Sequence, residues 1–166
     1  TYGALSGTNV HWDFVELPSQ IMENWCYEKE ALKLFAKHYK TNEIIPMRYV
    51  KKIKKVAHFQ QGLQTLRQLG FGFLDLSYHN KKATEIKDVK NHEKEILQRV
   101  QFLGDYPENC TSTAFSHIFQ GGYSAGYYSY KWSEVLDADA FELFLEKGIF
   151  DLETSKSFKE NILSKG

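Results

Sequence analysis

The ten residues from Gly121 to Tyr130 contain four tyrosines and three glycines. Glycine admits φ > 0 and lets the main chain come close to a ligand. A tyrosine O–H, with a pKa of about 10, donates to an oxyanion without carrying a charge itself. Such a loop suits a polymer whose backbone has to be gripped and polarised, and a peptide fits that description. The same composition also fits an aromatic-rich turn packed into a core, and composition alone does not choose between the two.

A second set of reactive side chains lies near the start. On a helix, Asp13, Glu16, Gln20 and Glu23 fall on one polar stripe. Phe14, Leu17, Ile21 and Trp25 flank it on one side, and Val15, Met22 and Cys26 on the other. A narrow acidic stripe between two apolar flanks predicts a helix wedged into the protein with its carboxylates facing a cavity. Buried carboxylates must be paired or must hold a metal; the competing reading is a helix whose acids meet lysines or arginines on a neighbour. A carboxylate-bridged di-iron bundle needs paired Glu-x-x-His motifs. None of His11, His38, His58, His79, His92 and His117 has Glu three residues before it. His92-Glu93-Lys94-Glu95-Ile96 comes nearest to the His-Glu-x-x-His of zincins but lacks the second histidine. His92 therefore reads as a surface histidine in a charged helix, and His38, His58 and His79 as packed or solvated. The chain holds no complete metal site of its own.

The elements that must position these residues are helices throughout. Helical spacing of apolar residues runs over 13–27 and continues over 28–39, and Pro46 closes a connector over 41–46. Tyr49, Ile53, Val56, Leu63, Leu66, Leu69 and Phe73 recur at three- and four-residue steps and predict one helix from Met47, with Gly62, Gly70 and Gly72 weakening its continuity. Its Lys51, Lys52, Lys54 and Lys55 form a solvated face. Residues 78–85 read as a loop, 88–102 as a helix, 106–109 as a turn, and 127–145 and 155–163 as helices. Nothing alternates at period two long enough to demand a sheet, so the expected class is all-α, with residues 1–166 as a single unit.

Composition removes several function classes. Lys plus Arg and Asp plus Glu balance at 21 each, which gives no basic field for nucleic acid or an anionic membrane. No apolar run reaches the ~18–20 residues of a membrane span, and no signal peptide opens the sequence. Cys26 and Cys110 form no CxxC pair, which predicts a reducing, cytoplasmic setting. The opening Thr1-Tyr2-Gly3 lacks an initiator Met and Ser164-Lys165-Gly166 reads as cut, so the chain is expected to be truncated at both ends.

Two long motifs resemble one family. Residues 6–20, which include Trp12-Asp13-Phe14-Val15-Glu16-Leu17-Pro18, look like the stretch after the zinc helix in the thimet oligopeptidase family of zinc metallopeptidases. Residues 115–136, from Phe115-Ser116-His117 through Gly121-Gly122-Tyr123 to Tyr130-Lys131-Trp132, resemble that family's tyrosine-bearing loop and the helix after it. The resemblance covers nearly the whole chain and implies the C-terminal portion of a mostly helical catalytic domain that hydrolyses short peptides, either internally or by releasing C-terminal dipeptides. It implies one zinc per intact enzyme, with Glu16 as the third ligand and two histidines on a His-Glu-x-x-His helix before Thr1. It also implies that Tyr123 and Tyr130 face the substrate and donate to the oxyanion. His117 then contacts substrate, and Gly121 and Gly122 let the loop close over an extended peptide. One of Tyr127 and Tyr128 is expected to pack. By itself the chain is expected to be inactive. A helical protein- or peptide-binding module without catalysis is the alternative.

Overall fold

A computed structural model of the protein describes residues 2–104 and 106–165. Among them no strand forms; Lys37 and Ile44 make an isolated antiparallel bridge. The chain is all-α, as its periodicity indicated. In order the helices are α1 (Trp12–Val15), α2 (Leu17–Asn24), α3 (Lys29–Phe35), α4 (Met47–Ala57), α5 (Gln61–His79), α6 (Val89–Leu97), α7 (Thr111–Ala114), α8 (Ser129–Lys147) and α9 (Leu152–Phe158), the last followed by a π turn over Lys159–Leu163. Contacts gather into two units, one made of Thr1–Phe59 with Trp132–Gly166 and one of Gln60–Lys131.

The first unit buries Leu17, Ile21, Ala31, Phe141, Phe144 and Ile149 together. Trp25 sets its edge against Phe141 and Phe144, with ring centroids 4.7 and 5.0 Å away. Its indole N–H donates to the Ile149 carbonyl at 2.9 Å, so this large side chain packs without stranding its polar atom. The helix expected over 13–27 is divided at Glu16, because Pro18 has no N–H and its ring would collide with the carbonyl of Phe14 in a continuous helix. Pro18 instead sits in the first turn of α2, where a missing N–H costs no hydrogen bond. The expectation of a wedged helix needs correction within this unit. Leu17 and Ile21 are sealed, but Met22 and Cys26 on the other flank are exposed.

The second unit is organised on α5. The helix predicted to run on from Met47 breaks before it, at Gln60, whose φ of +55° is left-handed. Gly70 serves close packing: a Cβ there would lie 3.2 Å from side-chain carbons of both Leu97 and Val100, so glycine lets α6 and the turn after it approach α5. Asp88 caps α6 by accepting the Asn91 N–H at 3.0 Å. That helix ends at Leu97 rather than near Phe102. The loop expected from Tyr78 begins only after His79, since Ser77 and Tyr78 are drawn into contacts with residues far along the chain.

Candidate active site

The tyrosine–glycine segment of the second unit adopts a defined and partly unfavourable backbone. Gly121 and Gly122 take φ of +76° and +90°, and Ala125, which has a Cβ, takes +57°. The Gly126 N–H closes a turn on the Tyr123 carbonyl at 2.8 Å. The Ser124 hydroxyl donates to the carbonyl of fully buried Ile118 at 2.9 Å. His117 stands one residue before Ile118 on a short 3-10 turn, Ser116–Ile118.

This arrangement brings together three of the residues singled out in the sequence. Tyr130 Oη lies 3.3 Å from His117 Nε2. The Tyr123 ring meets the His117 imidazole edge-on at 4.5 Å and stacks on Tyr130 at 5.4 Å with only 11° between the planes. All three are half-buried. Two phenols and an imidazole thus form one cluster, and the Tyr130–His117 contact links a phenol to a group that can give or accept a proton. Gly121 and Gly122 are exposed on the approach to this cluster.

Of the adjacent pair, Tyr127 is the one that packs. It is buried, its hydroxyl donates to Gln68 Oε1 at 3.0 Å, and its ring meets Phe115 and Phe71 edge-on at 5.3 and 5.6 Å. Burial pushes its phenol up, and neighbouring Tyr130 adds to the shift, so Tyr127 stays protonated. Tyr128 is exposed.

Sequence reasoning missed two buried carboxylates that shape this unit. Asp75 is fully buried; Oδ1 accepts the Ala125 N–H at 2.8 Å, Oδ2 accepts the Tyr127 N–H at 2.9 Å, and His79 Nδ1 lies 2.7 Å from Oδ1. An acid inside the apolar run Phe71-Gly72-Phe73-Leu74-Asp75-Leu76 was the available signal, because such an acid needs donors from elsewhere. Glu93 accepts the Thr111 N–H at 2.8 Å and the Ser112 N–H at 2.6 Å, as well as the Ser112 hydroxyl. Burial pushes the Glu93 carboxyl up, but the Ser112 and Thr111 donors together outweigh it and hold the group below its ordinary value. His92 is a correction: it is buried rather than on the surface, with Nε2 2.9 Å from the Ser77 hydroxyl. Burial, reinforced by Lys81, holds it below the usual histidine value. The Ser77 hydroxyl donates to the Leu74 carbonyl at 2.8 Å, so His92 is the donor to Ser77 and the pair is structural rather than nucleophilic.

Glu16 belongs to the first unit. It sits at the joint between α1 and α2, half-buried, with the Ser19 hydroxyl 3.0 Å from Oε2 and 3.0 Å from its own carbonyl. Nearby, Asn24 donates to Asp137 at 3.4 Å, and Asp137 is pushed up by burial and by Glu134 and Glu23. Among the described residues no three His, Cys, Asp or Glu side chains gather as a metal site. The Ser19 hydroxyl beside one Glu16 oxygen is the kind of support that metal-binding carboxylates receive.

The second unit thus carries a histidine–tyrosine cluster beside a glycine turn, and the first an oriented glutamate. Residues 1–166 match Peptidase family M3, and the chain belongs to that family. It is 45% identical over 172 residues to oligopeptidase A of Escherichia coli (strain K12), covering 100% of this chain and 25% of that protein. It is 45% identical over 166 residues to the chloroplastic/mitochondrial organellar oligopeptidase A of Arabidopsis thaliana, 95% of this chain and 21% of that protein. With the dipeptidyl carboxypeptidase of Escherichia coli (strain K12) it shares 35% identity over 167 residues, 99% of this chain and 24% of that protein. The resemblance read in residues 6–20 and 115–136 is borne out. The chain spans about a quarter of the length of these relatives.

Proposed function

We propose that this chain is part of a zinc-dependent oligopeptidase, to which it contributes one metal ligand, Glu16, and the substrate-facing donors Tyr123, Tyr130 and His117. The observation that carries the reading is the convergence of those three side chains, at 3.3 and 4.5 Å from the His117 ring system, in a member of Peptidase family M3. Zinc, when bound, supplies Lewis-acid polarisation of a carbonyl. The rest is done by the chain. Tyr130 donates its hydroxyl hydrogen to the oxygen on which negative charge develops during acyl transfer, and Tyr123 assists from the stacked position. His117 exchanges a hydrogen bond with Tyr130 and contacts the peptide. Gly121 and Gly122, with no side chains in the way, admit an extended peptide backbone. Short, unstructured peptides are the substrates, cut internally or as C-terminal dipeptides. Free thiols at Cys26 and Cys110 fit a cytoplasmic home; among the described residues no helix is long and apolar enough to cross a membrane.

The full-length protein should hydrolyse short peptides, lose that activity on chelation and regain it with zinc. A protein that cleaves peptides equally well after the metal is stripped would refute the reading. The 166-residue chain alone should hold no stoichiometric zinc by elemental analysis and show no cleavage, because one carboxylate does not make a tight site.

A further inference from the structure

We infer that Asp75 is a positioning residue, the latch that holds the tyrosine loop in its working shape. The kinetic part of this inference rests on the peptidase reading above; the structural part does not. The loop's conformation is not one its own sequence prefers. Ala125 sits at φ +57°, a left-handed state that a residue with a Cβ adopts at a cost of about 1 kcal/mol. Strain of this kind persists only where surrounding contacts over-determine the backbone. Here the contacts come from one face of α5. Gln68, Phe71 and Asp75 recur at three- and four-residue steps, and each engages the loop or the ring that anchors it. Gln68 accepts the Tyr127 hydroxyl at 3.0 Å, Phe71 packs on the Tyr127 ring at 5.6 Å, and Asp75 takes the N–H groups of Ala125 and Tyr127 at 2.8 and 2.9 Å.

The two amide bonds flank Gly126. They fix the main chain between Tyr123, whose carbonyl accepts the Gly126 N–H at 2.8 Å, and Tyr130, on the first turn of α8. One side chain therefore sets the angle between the two phenols. His79, one turn along α5, steadies the latch: its Nδ1 lies 2.7 Å from Asp75 Oδ1 and 2.8 Å from the Asp75 carbonyl. A carboxylate is required because all three partners are donors and only an ionised acid offers acceptors alone. Asparagine would turn an NH₂ toward a backbone N–H in a fully buried place, leaving that donor unsatisfied.

The test uses the full-length protein carrying Asp75→Asn and His79→Leu, singly. By hydrogen exchange, Asp75→Asn should speed exchange across residues 121–130 at least tenfold, with other segments unchanged. His79→Leu should give a smaller rise in the same segment. In peptide cleavage Asp75→Asn should lower kcat by up to roughly 10²-fold, the scale of a misplaced catalytic group, with KM little altered. Tyr130→Phe should absorb most of that loss, so the double variant is scarcely worse than Tyr130→Phe alone. Unchanged protection of residues 121–130 in Asp75→Asn would overturn the latch, and so would strictly additive kinetic losses. If Asp75→Asn raises exchange everywhere, His79→Leu decides: protection of residues 121–130 equal to the unmutated protein would likewise overturn it. A protein with no peptidase activity would sink the peptidase reading while leaving the exchange result to judge the latch.

Discussion

Glu16 and Asp75 are both carboxylates carried on or beside helices, and their surroundings are opposite. Asp75 is sealed and surrounded by two backbone N–H groups and an imidazole. Glu16 stands at a helix joint, half-buried, with a serine hydroxyl of the following turn beside one oxygen. A carboxylate whose acceptors are committed to buried main-chain donors is held in place and holds others in place. The half-buried Glu16, with a hydroxyl beside one oxygen, is the metal ligand in the function proposed above. Burial, rather than residue type, separates the two proposed roles.

Exchanging the acid for its amide at each position should break that contrast most sharply. In the full-length protein Glu16→Gln should collapse both zinc content and turnover, because it removes an anionic ligand while keeping the shape. Asp75→Asn should keep its zinc. Elemental analysis of the two purified variants checks this, and equal metal retention in both would show that Glu16 is not a ligand.

Glu93 extends the comparison to stability. Its hydrogen bonds to Ser112 and Thr111 predict that Glu93→Gln costs about 2 kcal/mol in urea unfolding of the full-length protein, the range for hydrogen bonds to a charged group. Acid should act in two stages with the same sign. His92, held below the ordinary 6.5, is favoured neutral by the fold, so its contribution is complete above that pH and declines as pH falls toward its lowered value. Glu93, held below 4.5, contributes fully above that pH and is lost as pH falls through its depressed value. Glu93→Gln should flatten the second stage only. A variant that loses stability below pH 4.5 as steeply as the unmutated protein would remove Glu93 from the account. A smaller effect belongs to Tyr127→Phe, which leaves Gln68 without its phenol donor and should cost about 1 kcal/mol of stability by the same measurement.

How much of this was legible beforehand depended on how far a residue's partners lie along the chain. Helical periodicity exposed the apolar positions of α2, α5 and α8, since those depend on spacing within one element. Pro18 held the information for the break at Glu16, but the carboxylate stripe drew the reading across it. The break at Gln60 had no such marker, because a glutamine in the left-handed region is decided by packing rather than propensity. His92 looked solvated in a lysine-rich segment and Glu93 drew no reading of its own; their partners, Ser77, Thr111 and Ser112, are 15 to 19 residues away. Asp75 reaches 50 and 52 residues ahead to Ala125 and Tyr127, beyond any local pattern. Tyr123 and Tyr130 were readable from one short segment, His117 entered through the family resemblance, and the structure brings the three together. Which of Tyr127 and Tyr128 packs required the structure.

The role assigned to Tyr130 is tested most directly by removing its hydroxyl oxygen alone. In the full-length protein Tyr130→Phe should lower kcat by about 10²–10³ with KM nearly unchanged, since an oxyanion donor binds more strongly in the transition state than in the bound substrate. Zinc content should stay constant, and the exposed Tyr128→Phe should cleave as the unmutated protein does. If Tyr130→Phe and Tyr128→Phe cleave peptides equally well at equal zinc content, the cluster around His117 is a packing feature and the catalytic role is wrong.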